Sequence, residues 1–143
     1  VTTASGQVAS GEGAGTAFTA LPWFRSALAQ HYALDLLPGT LNLQRVAPMP
    51  EVERALLLGG TVLVPPSPET CCAVLLSVII RKAGVGEYPA VLVRPLVGNY
   101  DPLKVELIAD RHLRSALNLL DGDAVEFRII ATAKRRYWIA ATE

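Results

Sequence analysis

The chain has 143 residues, 51% of them apolar and 18% charged, and its 13 basic and 13 acidic side chains leave no formal net charge. That is enough apolar content and length for one domain with a substantial core, and it excludes a disordered chain. A neutral chain lacks the overall basic field of a nucleic-acid binder, so nucleic acid is not expected as a partner.

Residues 1–6 carry neither the charged start nor the apolar stretch of a secretory leader, and a first residue other than Met points to trimming. A cytoplasmic location is expected. Residues 8–10 read as a short strand ended by glycines. Pro22 suits the first turn of a helix, in which Phe24, Ala27, Leu28 and His31 share one face. Thr40-Leu41-Asn42-Leu43-Gln44 alternates polar and apolar, the pattern of a half-buried strand. Residues 51–57 suggest a weaker helix, and 61–64 a strand closed by Pro65-Pro66.

A long strand is predicted over 71–81, then a turn at Ala83-Gly84-Val85-Gly86 and a returning strand over 88–94, together a hairpin. The apolar run at 71–80 is too short and interrupted to span a bilayer, so no membrane partner is expected. Cys71 and Cys72 are neighbours that point to opposite faces of a strand, so they read as packing residues and not as a disulfide. The two histidines, His31 and His112, offer no zinc spacing. Residues 104–109 form the next predicted strand. Asp110 then reads as the N-cap of a helix with Leu113, Ala116 and Leu117 on one stripe. A strand over 124–130 follows the turn Asp121-Gly122-Asp123. Lys134-Arg135-Arg136 reads as a solvated strand or tail, and Tyr137, Trp138 and Ile139 either pack on the body or form a contact between copies. Many short strands with few helices suggest a mainly β fold, a closed or nearly closed barrel, in one domain over residues 1–143. Residues 131–143 form an extension without an assigned role.

Four segments have the makings of a site. In Ser10-Gly11-Glu12-Gly13-Ala14-Gly15-Thr16, glycines at every second position allow close backbone approach, and successive N–H groups suit phosphates. A plain surface turn fits equally, and neither the Rossmann nor the Walker pattern is present. Thr40 and Asn42, two apart on a strand, present two neutral oxygens to one point. Such oxygens suit a Mg²⁺ ion that arrives with a nucleotide, or simply form a polar outer face. Asp110-Arg111-His112-Leu113-Arg114 places arginines at a helix start, where a bound phosphate or bulk solvent offsets them. Glu106 stands alone among apolar residues, and strand alternation places it by default on the solvated face.

Together these segments resemble one family, the CTP-dependent (archaeal-type) riboflavin kinases. The resemblance runs from Val8-Ala9-Ser10-Gly11 through residues 23–31 to its strongest segment, Pro38-Gly39-Thr40-Leu41-Asn42-Leu43. It resumes at Val105-Glu106-Leu107-Ile108-Ala109 and Leu113-Arg114, and ends at Leu117-Asn118-Leu119-Leu120-Asp121-Gly122-Asp123. It implies a small six-stranded cradle-loop barrel with two or three short helices, and transfer of a γ-phosphate from CTP to riboflavin to give FMN. It also implies roles: Thr40 and Asn42 as Mg²⁺ ligands, and Gly11, Glu12, Gly13, Ala14, Gly15 and Thr16 as the nucleotide cradle. Arg111, His112, Leu113 and Arg114 would be a second nucleotide segment. Glu106 would be the catalytic flavin contact, with Asn99 near the second flavin position. The family carries a threonine near 98–99, where this chain has Gly98 and Asn99, and its glycine loop usually has a glutamate where Ala14 stands. The expected partners are small molecules, and the expected assembly is a monomer or weak homo-oligomer. The alternative is a flavin- or nucleotide-binding module on the same barrel with altered catalysis.

Overall fold

A computed structural model of the chain describes residues 2–10, 14–45, 47, 49–67, 70–130 and 134–140. In order it contains β1 (Thr2–Ala9), α1 (Ala14–Thr19), α2 (Pro22–Tyr32), β2 (Leu41–Gln44), α3 (Pro50–Leu58), β3 (Thr61–Val64), β4 (Ala73–Lys82), β5 (Gly86–Pro95), β6 (Lys104–Ile108), α4 (Leu113–Ala116), β7 (Ala124–Ile129) and β8 (Arg136–Ile139).

The β4–β5 hairpin turns where the sequence predicts, through Gly84 at φ 77°. From it a ring closes: β5 pairs β6, β6 pairs β2, β2 pairs β1, β1 pairs β7, and β7 returns to β4, all antiparallel. Closure removes exposed edges, which a short-stranded sheet otherwise leaves open to stray pairing. The six-stranded expectation therefore holds for the ring, which is irregular as a barrel for a definite reason. β4 changes partner along its length: Ile80 faces Phe127 of β7, whereas Leu75 faces Thr61 of β3. β3 thus leaves the ring and takes β8 as a parallel outer neighbour. Among the described residues there are four helices where two or three were expected.

Two apolar clusters follow from this layout. Inside the ring, alternate residues such as Val8, Leu41, Leu43, Ile80, Leu107 and Phe127 pack together. Outside it, Trp23, Phe24, Ala27 and Leu28 of α2 pack on Leu75, Val91, Val93 and Ile108. The outer cover explains why β5 and β6 do not alternate: residues 90–93 and 105–108 are buried on both faces. Pro22 opens α2, and Ala33 ends it in the left-handed region at φ 49°, its N–H donating to Leu28 O. Phe24 is fully buried, with its ring 4.8 Å from Phe18 and 5.8 Å from Trp23. Phe24→Ala is expected to cost about 3–5 kcal/mol of stability by denaturant unfolding, as large cavities at aromatic sites do. A loss below about 1 kcal/mol would show that α2 does not seal this face.

The C-terminal basic run is structural in part. Arg135 donates to Leu56 O near the end of α3, and Arg136 donates to Thr61 Oγ1 at 3.4 Å. Trp138 packs into the outer cluster with its ring 5.5 Å from that of His31, while Tyr137 and Ile139 are exposed. Cys71 and Cys72 are half-buried free thiols, and Cys72 packs against the inner core. No helix among the described residues is long and apolar enough to cross a membrane.

Candidate active site

A cleft of about 230 Å³ opens between residues 37–41, which lead into β2, and residues 111–114 around α4, with Leu107 and Ala109 between them. Two of the four predicted segments, Thr40 and Arg111-His112-Leu113-Arg114, therefore face one space. They meet because β2 and β6 are paired, so the chain entering β2 lies beside the chain leaving β6.

The helix expected from Asp110 is shorter than the sequence suggests. α4 is a single turn with His112 at its N-cap position, and His112 Nδ1 lies 2.8 Å from Ser115 Oγ. Asp110 is not the cap: its carboxylate accepts a 2.6 Å hydrogen bond from the Tyr88 hydroxyl. That bond raises the Tyr88 pKa above its ordinary value, because the carboxylate opposes ionisation of its donor. A four-residue helix has little dipole, so the argument from a helix start does not explain the arginines. They have different surroundings instead. Arg111 is exposed over the Tyr88 ring, 6.0 Å from its centre. Arg114 is tied down, donating to Asp121 Oδ1 at 2.6 Å and to Ala9 O at 3.3 Å.

The same tie reaches the glycine segment. Ser10 Oγ donates to Asp121 Oδ2 at 2.7 Å, and the two bonds to Asp121, Ser10's first and Arg114's second, hold its carboxyl below the usual range. On the other side, Gly39 N donates to Thr19 Oγ1 at 2.7 Å. The described residues before and after positions 11–13 are thus fastened to opposite walls of the cleft. Gly11, Glu12 and Gly13 themselves lie outside the described residues. Ala14, Gly15 and Thr16 form the start of α1, where the sequence reads as loop.

Thr40, Asn42 and Glu106 come together as well. Asn42 and Glu106 are directly opposite in the β2–β6 pair. Thr40 Oγ1 donates to Glu106 Oε1 at 3.3 Å, and the Tyr100 hydroxyl donates to Glu106 Oε2 at 2.6 Å. Glu106 is only 8% exposed, contrary to the solvated face expected from alternation. It lies on the face that α2 covers, beside Ile108 and opposite Val93, so the usual outward position is an inward one here. Burial, followed by the neighbouring carboxylate, pushes the Tyr100 phenol far above its ordinary pKa, which keeps its hydroxyl as the donor in this bond.

The Asn42 Oδ1 atom is buried and has no hydrogen-bond partner. Buried polar oxygens are almost always satisfied, so one left open beside a carboxylate and a hydroxyl is suited to a ligand. Thr40, Asn42 and Glu106 are hard oxygen donors of the kind Mg²⁺ prefers. Among the described residues no group of three or more His, Cys, Asp or Glu side chains could hold a metal, so no cage stands ready-made there. The donor set fits a magnesium ion that brings its own phosphate and water ligands.

Asn99 lies in the exposed turn just before Tyr100. Tyr100 and Asp121 are the residues that sequence reasoning passed over. Each reads as an ordinary turn residue, and only the partners that folding brings to them, Arg94, Glu106, Ser10 and Arg114, mark them out.

The family model CTP-dep_RFKase, described as a domain of unknown function DUF120, matches residues 8–129. A riboflavin kinase of Aeropyrum pernix is 34% identical over 131 residues, covering 87% of this chain and 93% of that protein. A riboflavin kinase of Saccharolobus solfataricus is 31% identical over 125 residues, covering 87% of this chain and 71% of that protein. A third, of Ignicoccus hospitalis, is 32% identical over 123 residues, covering 85% and 67%. With a family model spanning residues 8–129 and relatives above 30% identity aligned along most of its length, the chain belongs to the CTP-dependent riboflavin kinase family.

Proposed function

We propose that this chain phosphorylates riboflavin, moving the γ-phosphate of a nucleoside triphosphate, CTP by preference, to the 5′-hydroxyl and releasing FMN and the nucleoside diphosphate. The observation that carries this reading is the buried, unbonded Asn42 Oδ1 opposite Glu106, whose carboxylate accepts from Thr40 at the wall of a cleft that Arg111 and Arg114 also line. The preference for CTP follows the family model's name alone, while the three relatives named above support riboflavin as the acceptor.

Thr40 and Asn42 would hold Mg²⁺, which supplies charge neutralisation on the phosphates when bound. The chain's own work is positioning and charge stabilisation, because phosphoryl transfer leaves a protein little covalent chemistry to do. Arg111, free of a carboxylate partner in the described contacts, faces the charge that gathers on the transferred group. Residues 11–16 supply backbone N–H groups to the phosphates. Glu106 orients the 5′-hydroxyl and takes its proton as the new O–P bond forms and the bond to the β-phosphate oxygen breaks. Asn99 and its turn border the flavin.

Incubation with riboflavin, Mg²⁺ and each of the four nucleoside triphosphates in turn tests the reading. FMN formation, fastest with CTP, is the expected result. FMN made fastest with another triphosphate overturns the donor assignment alone. Flavin binding without FMN from any donor points to a binding module and overturns the kinase.

Arg114 acts here as a strut for the nucleotide loop through Asp121 and Ser10. Asp121→Asn is expected to raise the nucleotide KM about fivefold, the worth of one exposed charge-assisted bond, with the riboflavin KM unchanged. The pH dependence has a fixed sign. A carboxyl with a lowered folded pKa stabilises its contacts above the ordinary carboxylate range and loses them as pH falls through the lowered value. The wild-type strut therefore persists across the neutral range and opens only in acid. An Asp121→Asn enzyme with wild-type nucleotide KM contradicts this role.

A further inference from the structure

We infer that Tyr100 is a positioning residue for the flavin end of the reaction: its hydroxyl holds one oxygen of Glu106 so that the other is aimed at Thr40, at the wall of the cleft. The inference rests on the riboflavin kinase reading and deepens it. Glu106 has two carboxylate oxygens with different partners. Oε2 takes the short 2.6 Å bond from Tyr100, and Oε1 takes the longer 3.3 Å bond from Thr40, which lines the cleft. A carboxylate held by one strong donor is fixed in rotation, which leaves its second oxygen pointed at a defined place.

Tyr100 is itself held, although it stands at the end of an exposed turn. The Arg94 guanidinium lies 5.4 Å from the centre of its ring and the Lys104 ammonium 5.6 Å. Arg94 is in turn fixed to Glu53 of α3 by two bonds, 3.2 and 3.3 Å. Arg45, 4% exposed, bonds the same Glu53 at 3.5 Å and donates to Pro102 O at 3.2 Å, tying down the chain that follows Tyr100. The turn over 96–99 is exposed, yet the residue that ends it is clamped by the cations Arg94 of β5 and Lys104 of β6, and Arg45, just past β2, holds the chain two residues on. A tyrosine serving only as packing would not need its hydroxyl aimed at a buried carboxylate. Removing that hydroxyl, with the ring retained, isolates the positioning effect.

The test is a double-mutant cycle in the full chain with Tyr100→Phe, Glu106→Gln and both together, varying riboflavin and nucleotide separately. Tyr100→Phe is expected to lower kcat/KM for riboflavin about tenfold while the nucleotide KM stays within about twofold. In the Glu106→Gln background the same change is expected to cost less than about twofold, because the two residues act as one unit. An active wild type with a kinetically silent Tyr100→Phe overturns the inference and leaves the kinase standing. So do losses that multiply in the double variant, or a loss confined to the nucleotide KM. A wild type that makes no FMN overturns the kinase reading and this inference with it.

Discussion

Asn42→Ala is expected to lower kcat about 100- to 1000-fold, the worth of several kcal/mol of metal-assisted charge stabilisation, without lowering stability. The two halves of that expectation come from one atom. Asn42 Oδ1 is buried and unbonded, so in the free protein it carries a desolvation cost with no return. Truncation removes that cost together with the ligand, and the unfolding free energy should hold or rise. Thr40→Ala should behave differently. Its hydroxyl bonds Glu106, so the variant loses about 0.5–1.5 kcal/mol of stability along with activity. Steady-state kinetics over a Mg²⁺ titration, paired with urea unfolding, separates the two. A fully active Asn42→Ala protein removes Asn42 from the site, and one that is active yet strongly destabilised assigns it to structure.

Glu106→Gln is the second large effect, with kcat expected to fall about 100- to 1000-fold, within the range for a general base. The substitution keeps the shape and leaves an oxygen to accept from Tyr100, so it removes charge and basicity more than packing. Loss concentrated in kcat, with modest change in riboflavin KM, marks Glu106 as acting on the reacting hydroxyl. A change confined to KM reduces it to a binding contact, and no change in either removes it from the site.

Local periodicity made much of this fold legible in the sequence. Alternation marks β2, the apolar run over 71–81 and the turn at Gly84 mark the β4–β5 hairpin, the turn over 121–123 marks the start of β7, and Pro22 marks the start of α2. What stayed hidden is non-local. The exchange of partners along β4 leaves no trace in its own residues. Three glycines in 11–15 mask the start of α1 by signalling a loop. Asp110 has the chemistry of an N-cap, but the Tyr88 hydroxyl, far away in sequence, claims its carboxylate.

The same division applies to the site. Thr40 and Asn42 were legible because two residues on one extended segment share a face whatever the rest of the chain does. Glu106 was legible as a lone carboxylate among apolar residues, but its burial was not, since α2 and not its own strand decides that. Tyr100 and Asp121 carry no pattern of their own. Their part in the site comes from partners 6 residues away in one case and 111 in the other.

The most direct measurement follows the phosphorus atom. With CTP labelled at the γ-phosphate, riboflavin and Mg²⁺, the label should appear in FMN as unlabelled CDP accumulates in equal amount, and it should fail to appear when Mg²⁺ is chelated. Label recovered only as inorganic phosphate, or retained in CTP whatever the flavin present, contradicts the transfer on which every residue assignment here depends.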